Sequence, residues 1–249
     1  MSNVVSQFNC IDNLICEVQK IISSDTFILL LGGTKEAYEL HDILLEKNIE
    51  VIHSFAGRTK KRRVENLKQR IGGFGGVEGL LEFVTTNRVN IIIDATHPFA
   101  ERITKNAYAV CSKKQLPLFH YSRPAWESTP DDQWIKQPNF IHAAQWLTKT
   151  DKILNVFLAI GHQHVNEFKI ADQHQYYVRM IENSKNKIEL SNPNIILDRP
   201  KSNPEEEIKL FNELQIDLVV SRNSGGSGAF AKLIAARRLS LPVLMINQP

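Results

Sequence analysis

The chain has 249 residues, of which 43% are hydrophobic and 23% charged. This is the balance of an ordinary globular protein with one large or two small domains, and it excludes disorder and collagen-like repeats. Lys and Arg number 30 against 27 Asp and Glu, an excess too mild to imply nucleic acid but suited to an anionic ligand in a local basic pocket. The cysteines, Cys10, Cys16 and Cys111, form no Cys-x-x-Cys pair, so a reducing, cytoplasmic setting is expected, with no metal site of ordinary spacing. No apolar run reaches the ~18 residues of a membrane span, and the N-terminus lacks the basic start and apolar core of a signal peptide, so no membrane partner is expected.

Residues 1–25 stand apart. Phe8, Ile11, Ile15, Val18 and Ile22 recur at helical spacing, which predicts one amphipathic helix packed on the body of the protein or on a second copy as a homo-oligomer contact. From residue 26 onward, short apolar runs alternate with helical patterns, the signature of an α/β doubly wound parallel sheet. Phe27–Leu31 reads as a strand covered on both faces. It is followed by Gly32-Gly33-Thr34 and a helix over residues 35–47. Glu50–Phe55, Ile91–Asp94 and residues 116–120 are further strands, with Pro98 placed in the first turn of the next helix. Residues 123–138, polar and carrying Pro and Trp, read as a connection between two halves. The second half has candidate strands at 153–160, 176–180, 217–220 and Val243–Ile246, with a loop-rich middle marked by Pro193, Pro200 and Pro204.

The distinctive motifs fall after strands, where parallel sheets bind ligands. Gly32-Gly33-Thr34-Lys35-Glu36-Ala37 opens a helix whose free N–H groups suit a phosphate, although the adjacent glycines match the dinucleotide pattern G-x-G-x-x-G imperfectly. An NAD-binding strand two would end in Asp or Glu. Here the sequence reads Ala56-Gly57-Arg58-Thr59-Lys60-Lys61-Arg62-Arg63, and such a cation cluster favours the 2′-phosphate of NADPH. Arg70-Ile71-Gly72-Gly73-Phe74-Gly75-Gly76 is a second glycine-rich loop. Asp94-Ala95-Thr96-His97 ends another strand and brings His97 forward as a candidate proton donor. In the second half Gly161-His162-Gln163-His164 and Arg222-Asn223-Ser224-Gly225-Gly226 follow strands and suit carboxylate or phosphate. There is no G-x-S-x-G nucleophile elbow, no Walker lysine motif and no Tyr-x-x-x-Lys pair.

Taken in order, Leu30–Ala37 of the glycine turn, Ala56-Gly-Arg-Thr59, Arg70-Ile-Gly-Gly-Phe-Gly-Gly76 and Ile93-Asp-Ala-Thr-His-Pro-Phe-Ala100 resemble precorrin-6A reductases. Tyr121-Ser-Arg-Pro-Ala-Trp126, Phe157-Leu-Ala-Ile-Gly-His-Gln163, Ser221-Arg-Asn-Ser-Gly-Gly226 and the ending around Ala231-Lys-Leu-Ile extend the likeness over residues 26–249. The resemblance implies two Rossmann-like domains, over residues 26–128 and 129–249, and NADPH-dependent reduction of one double bond of a tetrapyrrole macrocycle, with or without cobalt. It implies cofactor contacts from Gly32, Gly33, Thr34, Glu36, Arg58, Thr59, Gly75, Gly76 and Thr96. Substrate contacts are implied for Arg123, His162, Gln163, Arg222, Asn223, Ser224, Gly225 and Gly226, with His97 catalytic. Arg222 stands where the family typically has Lys, and His162 where Gly-Arg-Gln is common. A non-catalytic NADPH-binding sensor or scaffold is the alternative reading.

Overall fold

A computed structural model describes residues 5–55, 68–182 and 187–249. The chain folds as two compact units, Met1–Arg123 and Pro124–Pro249, each an α/β structure around one parallel sheet.

The first unit contains β1 (Val5–Phe8), α1 (Ile11–Gln19), β2 (Phe27–Leu31), α2 (Lys35–Glu46), β3 (Glu50–Phe55), β4 (Gln69–Ile71), α3 (Val77–Thr86), β5 (Ile91–Asp94), α4 (Glu101–Lys114) and β6 (Leu118–Tyr121). Its six strands lie in the order β1-β6-β5-β2-β3-β4, all parallel. The alternation of β2 explains the layering, because successive side chains of a strand point to opposite faces. Ile28 and Leu30 pack with Leu14 and Val18 of α1 and Leu40 and Leu44 of α2. Leu29 and Leu31 pack on the other face with Leu80 and Val84 of α3 and Val110 of α4.

The N-terminal segment departs from the single helix expected over residues 1–25. Val5–Phe8 is extended and pairs with Leu118–Tyr121. Phe8 also stacks on Phe119, with ring centroids 6.0 Å apart. The helix is confined to Ile11–Gln19, after an extended Cys10. The helical spacing of Phe8 with Ile11 is overridden by a sheet edge that satisfies the backbone of residues 5–8. Leu14, Ile15 and Val18 are buried in this unit's own core.

The second unit contains β7 (Trp134–Gln137), α5 (Phe140–Thr148), β8 (Asn155–Ala159), a 3-10 helix (Val165–Ala171), β9 (Gln175–Met180), β10 (Pro193–Leu197), α6 (Pro204–Glu213), β11 (Leu218–Arg222), α7 (Ala231–Arg238) and β12 (Val243–Ile246). The strand order is β10-β9-β8-β11-β12-β7, again wholly parallel. Read in chain order, this is the same topology as the first unit, with β7 and α5 in the places of β1 and α1. Three strands correct the sequence reading. β7 lies inside the stretch expected to be a connection, β10 inside the loop-rich middle, and β4 takes in Arg70 and Ile71 at the start of the second glycine loop.

In each unit the chain runs outward in opposite directions from two central neighbours. These are β2 and β5 in the first and β8 and β11 in the second. The loops leaving such a pair part, and the crevice beyond their carboxyl ends is where open parallel sheets receive ligands.

Candidate functional site

The crevice of the first unit is built from the turn after β2 and the loop after β5. Gly32 holds φ +147, and a Cβ there would meet the Ala95 carbonyl oxygen at 2.5 Å, so the turn after β2 lies directly against the loop after β5. Thr34 joins the same two loops. Its hydroxyl donates to the Ala95 carbonyl at 3.0 Å and accepts from the Ala37 N–H at 3.1 Å. That caps α2, and the remaining first-turn amides, with the positive end of the helix dipole, point where a phosphate would sit. Gly33 is half-buried beside it.

Below this turn lies a buried aromatic stack. His53 of β3 places Nε2 2.9 Å from the Gly32 carbonyl oxygen, so Nε2 carries the proton and donates. Its ring stacks on Phe55 with centroids 4.1 Å apart and on His41 at 5.3 Å. Burial depresses the pKa of both histidines, that of His53 to about 4, because charging an imidazole without water is costly.

Glu36 does not present a bare carboxylate to this region. Arg123 Nη2 lies 2.8 Å from its Oε2, both side chains being largely buried. A residue assigned to the cofactor and one assigned to the substrate are therefore partners. On the neighbouring loop, Asp94 is fully buried and accepts from the Thr96 N–H at 3.0 Å and the Thr96 hydroxyl at 2.7 Å. Thr96 thus orders the loop from within. His97, half-exposed one residue on, accepts the Phe99 N–H at Nδ1 at 3.2 Å. The neutral ring therefore holds its proton on Nε2.

Gly75 and Gly76 stand at φ +82 and +102, with Gly76 at the start of α3. Their loop is ordered by Arg70, which donates to the Gly72 and Gly73 carbonyls at 2.5 and 2.9 Å and stacks its guanidinium on Phe74 at 3.7 Å. Arg58 and Thr59 lie outside the described residues.

The second unit's crevice gathers its own set. Gly161 follows β8, and a Cβ on it would stand 3.9 Å from Nη2 of Arg222, the last residue of β11. His162 is half-buried and Gln163 exposed. Gly225 and Gly226 both hold positive φ, +64 and +69, a backbone that most residues avoid. Ser224 donates its N–H to the Arg222 carbonyl at 2.9 Å. The Asn223 side chain does not reach outward. Its Oδ1 accepts the Trp126 N–H at 2.7 Å and its Nδ2 donates to the Trp126 carbonyl at 2.9 Å. The Trp126 indole N–H in turn donates to the Gly226 carbonyl at 2.7 Å.

Some important residues carried no role in the sequence reading. Trp126 ties the glycine loop at three points, Lys232 lies over its ring at 5.0 Å, and Arg179 and Glu207 form a buried bidentate pair at 2.7 and 2.5 Å. Trp126 and Lys232 both sit in quoted motifs, and the signal available for Lys232 was a cation among the apolar residues that open α7. Among the described residues no group of three or more His, Cys, Asp or Glu is placed to hold a metal ion. No helix among them is long and apolar enough to cross a membrane.

The arrangement matches known proteins along nearly its whole length. A family model described as "Precorrin-6x reductase CbiJ/CobK" matches residues 27–249. A precorrin-6A reductase of Rhodobacter capsulatus is 39% identical over 90% of this chain and 88% of its own. A cobalt-precorrin-6A reductase of Priestia megaterium is 26% identical over 89% and 90%. A solved structure titled "CobK precorrin-6A reductase" superposes with a TM-score of 0.79 at 39% identity, covering 90% of this chain and 88% of that one. With the strand-end loops of both units falling inside the matched span, the chain belongs to the precorrin-6x reductase CbiJ/CobK family.

Proposed function

We propose that this protein reduces one carbon–carbon double bond of precorrin-6A, giving precorrin-6B, with NADPH as the reductant. The observation that carries the reading is the 39% identity to a precorrin-6A reductase over nine-tenths of both chains, which spans the loops of both crevices. The lower identity to the relative named for the cobalt-containing substrate, 26%, favours the metal-free macrocycle.

The first unit's residues fit a dinucleotide. The capped start of α2 and the positive-φ glycines before α3 offer backbone N–H groups, and the Glu36 carboxylate is neutralised by Arg123 instead of opposing a phosphate. Gly32, Gly33, Thr34, Gly75, Gly76 and Thr96 form or order this cradle, and Arg58 and Thr59 supply charge and hydroxyl to the 2′-phosphate. When bound, NADPH supplies the hydride. The second unit receives macrocycle carboxylates through Arg222, His162, Gln163, the Ser224 hydroxyl and the amides of Gly225 and Gly226, while Asn223 shapes the loop. His97, in its imidazolium form, delivers the proton that balances hydride addition and is left as the neutral ring.

Anaerobic NADPH oxidation by the purified protein, with precorrin-6A and cobalt-precorrin-6A in parallel and NADH as control, tests this. Oxidation is expected with precorrin-6A, strongly favouring NADPH. Binding of NADPH with neither macrocycle consumed would overturn the reading in favour of a sensor or scaffold.

A further inference from the structure

Lys232 is the most anomalous side chain in the second unit. It is 4% exposed, in the first turn of α7, where the helix dipole opposes a cation. Its amine donates to the Ala229 carbonyl at 2.6 Å and lies 5.0 Å over the Trp126 ring. It has no carboxylate of its own. Glu207 from α6, whose charge favours the protonated amine, is already clamped by Arg179 from β9 and also accepts the Lys201 N–H at 3.0 Å. Arg179 and Arg222, the latter from β11, both repel it. A methionine would fill the same volume without these costs.

We propose that Lys232 is a positioning residue for the Asn223–Gly226 loop, holding Trp126 against it and placing a positive charge behind it that an anionic substrate group recruits. The connection is continuous: amine to indole ring, indole N–H to the Gly226 carbonyl, and Trp126 backbone to both ends of the Asn223 amide. The inference rests on the second unit receiving the macrocycle's carboxylates. Burial pulls the Lys232 pKa down to about 7, with Arg179 and Arg222 lowering it further and Glu207 raising it. An anion arriving at the loop raises it, so by linkage substrate binding and protonation of Lys232 reinforce each other.

Two readouts separate this from the activity itself. Without substrate, tryptophan emission of the wild type should titrate with a midpoint near pH 7, and the transition should vanish in both Lys232→Met and Trp126→Phe. The second variant retains the backbone bonds to Asn223, so it serves even if the first folds poorly. With precorrin-6A, the wild-type KM for the macrocycle should rise about tenfold from pH 6 to pH 9, the scale of one charge sensed across several ångströms of protein. Lys232→Met should have the high KM throughout and Lys232→Arg the low one, with kcat and the KM for NADPH little changed. An emission titration unaltered in both variants, or a macrocycle KM in Lys232→Met equal to wild type at pH 6, would overturn the proposal while leaving the reductase reading intact. An inactive wild type would overturn the reductase reading, and the emission titration would still decide the role of Lys232.

Discussion

Arg123, two residues beyond β6, reaches Glu36 at the start of α2, with 2.8 Å between Nη2 and Oε2. The pair turns a carboxylate beside the phosphate-receiving turn into a neutral element. Removing the cation alone leaves Glu36 largely buried, unpaired and facing the same region as an incoming phosphate. Arg123→Gln is therefore expected to weaken NADPH binding about tenfold, the scale of one uncompensated charge at a partly screened site. Glu36→Gln added to it should restore most of the loss. Fluorescence titration of NADPH with the single and double variants measures this, and equal affinities in all of them would show that the pair has no influence on the cofactor.

His53 makes the same turn sensitive to acid. Its pKa falls from 6.5 to about 4 in the folded protein because it is buried beside His41 and Phe55. Between those values the unfolded chain binds a proton that the native one does not, so stability is complete above about pH 6.5 and is lost as pH falls towards 4. The loss amounts to about 3 kcal/mol. Melting midpoints measured from pH 7 to pH 4 should fall across this window. In His53→Gln, whose amide can still donate to the Gly32 carbonyl, the fall should be distinctly shallower.

The buried Arg179–Glu207 pair answers to a different rule. The two side chains are 4% and 0% exposed and joined by two hydrogen bonds. Glu207→Ala strands a guanidinium among Phe157 and Lys232 and is expected to destabilise the second unit by about 3–5 kcal/mol. Replacing both partners by Met and Leu should cost far less, since the desolvation of two charges is removed together with their attraction. Denaturant unfolding of the single and double variants gives the comparison.

Which strands were legible follows from where they sit in the sheets. The eight interior strands, β2, β3, β5, β6, β8, β9, β11 and β12, are covered by neighbours on both edges and carry apolar runs that announce them, such as Ile28, Leu29 and Leu30, all fully buried. The four that escaped notice, β1, β4, β7 and β10, are the edges of the two sheets. An edge strand is short, half-exposed and tolerant of polar residues. β7 reads Trp-Ile-Lys-Gln and β10 opens on Pro193, which an edge tolerates because its N–H needs no partner. The site divides in a similar way. Glycine turns and strand-end loops are local in sequence and were found. His53 reaches the Gly32 carbonyl 21 residues back and Lys232 the Trp126 ring in a distant part of the chain, and only the fold brings those together. Asn223, a motif residue read as a ligand contact, engages Trp126 through both ends of its side-chain amide, a partner the motif alone does not reveal.

His97 offers the sharpest test of mechanism. Its Nδ1 is engaged by the Phe99 N–H at 3.2 Å, so the neutral ring carries its proton on Nε2, and to act as a general acid the ring must take a second proton at Nδ1 and give up that bond. The loop that carries it is fixed by the two bonds from Thr96 to the buried Asp94, so replacing His97 should leave the cofactor side undisturbed. His97→Asn is expected to lower kcat by about a hundredfold, the lower end of what a positioned general acid supplies, with NADPH affinity within error of wild type. If His97 gives its proton in the rate-limiting step, the wild-type kcat should also fall as pH rises through the pKa of the ring, and that limb should be missing from the residual activity of the variant. Single-turnover NADPH oxidation across pH 6–9 distinguishes the outcomes. An unchanged rate in His97→Asn assigns the proton to water or to a carboxylic acid of the macrocycle and leaves His97 as a loop residue.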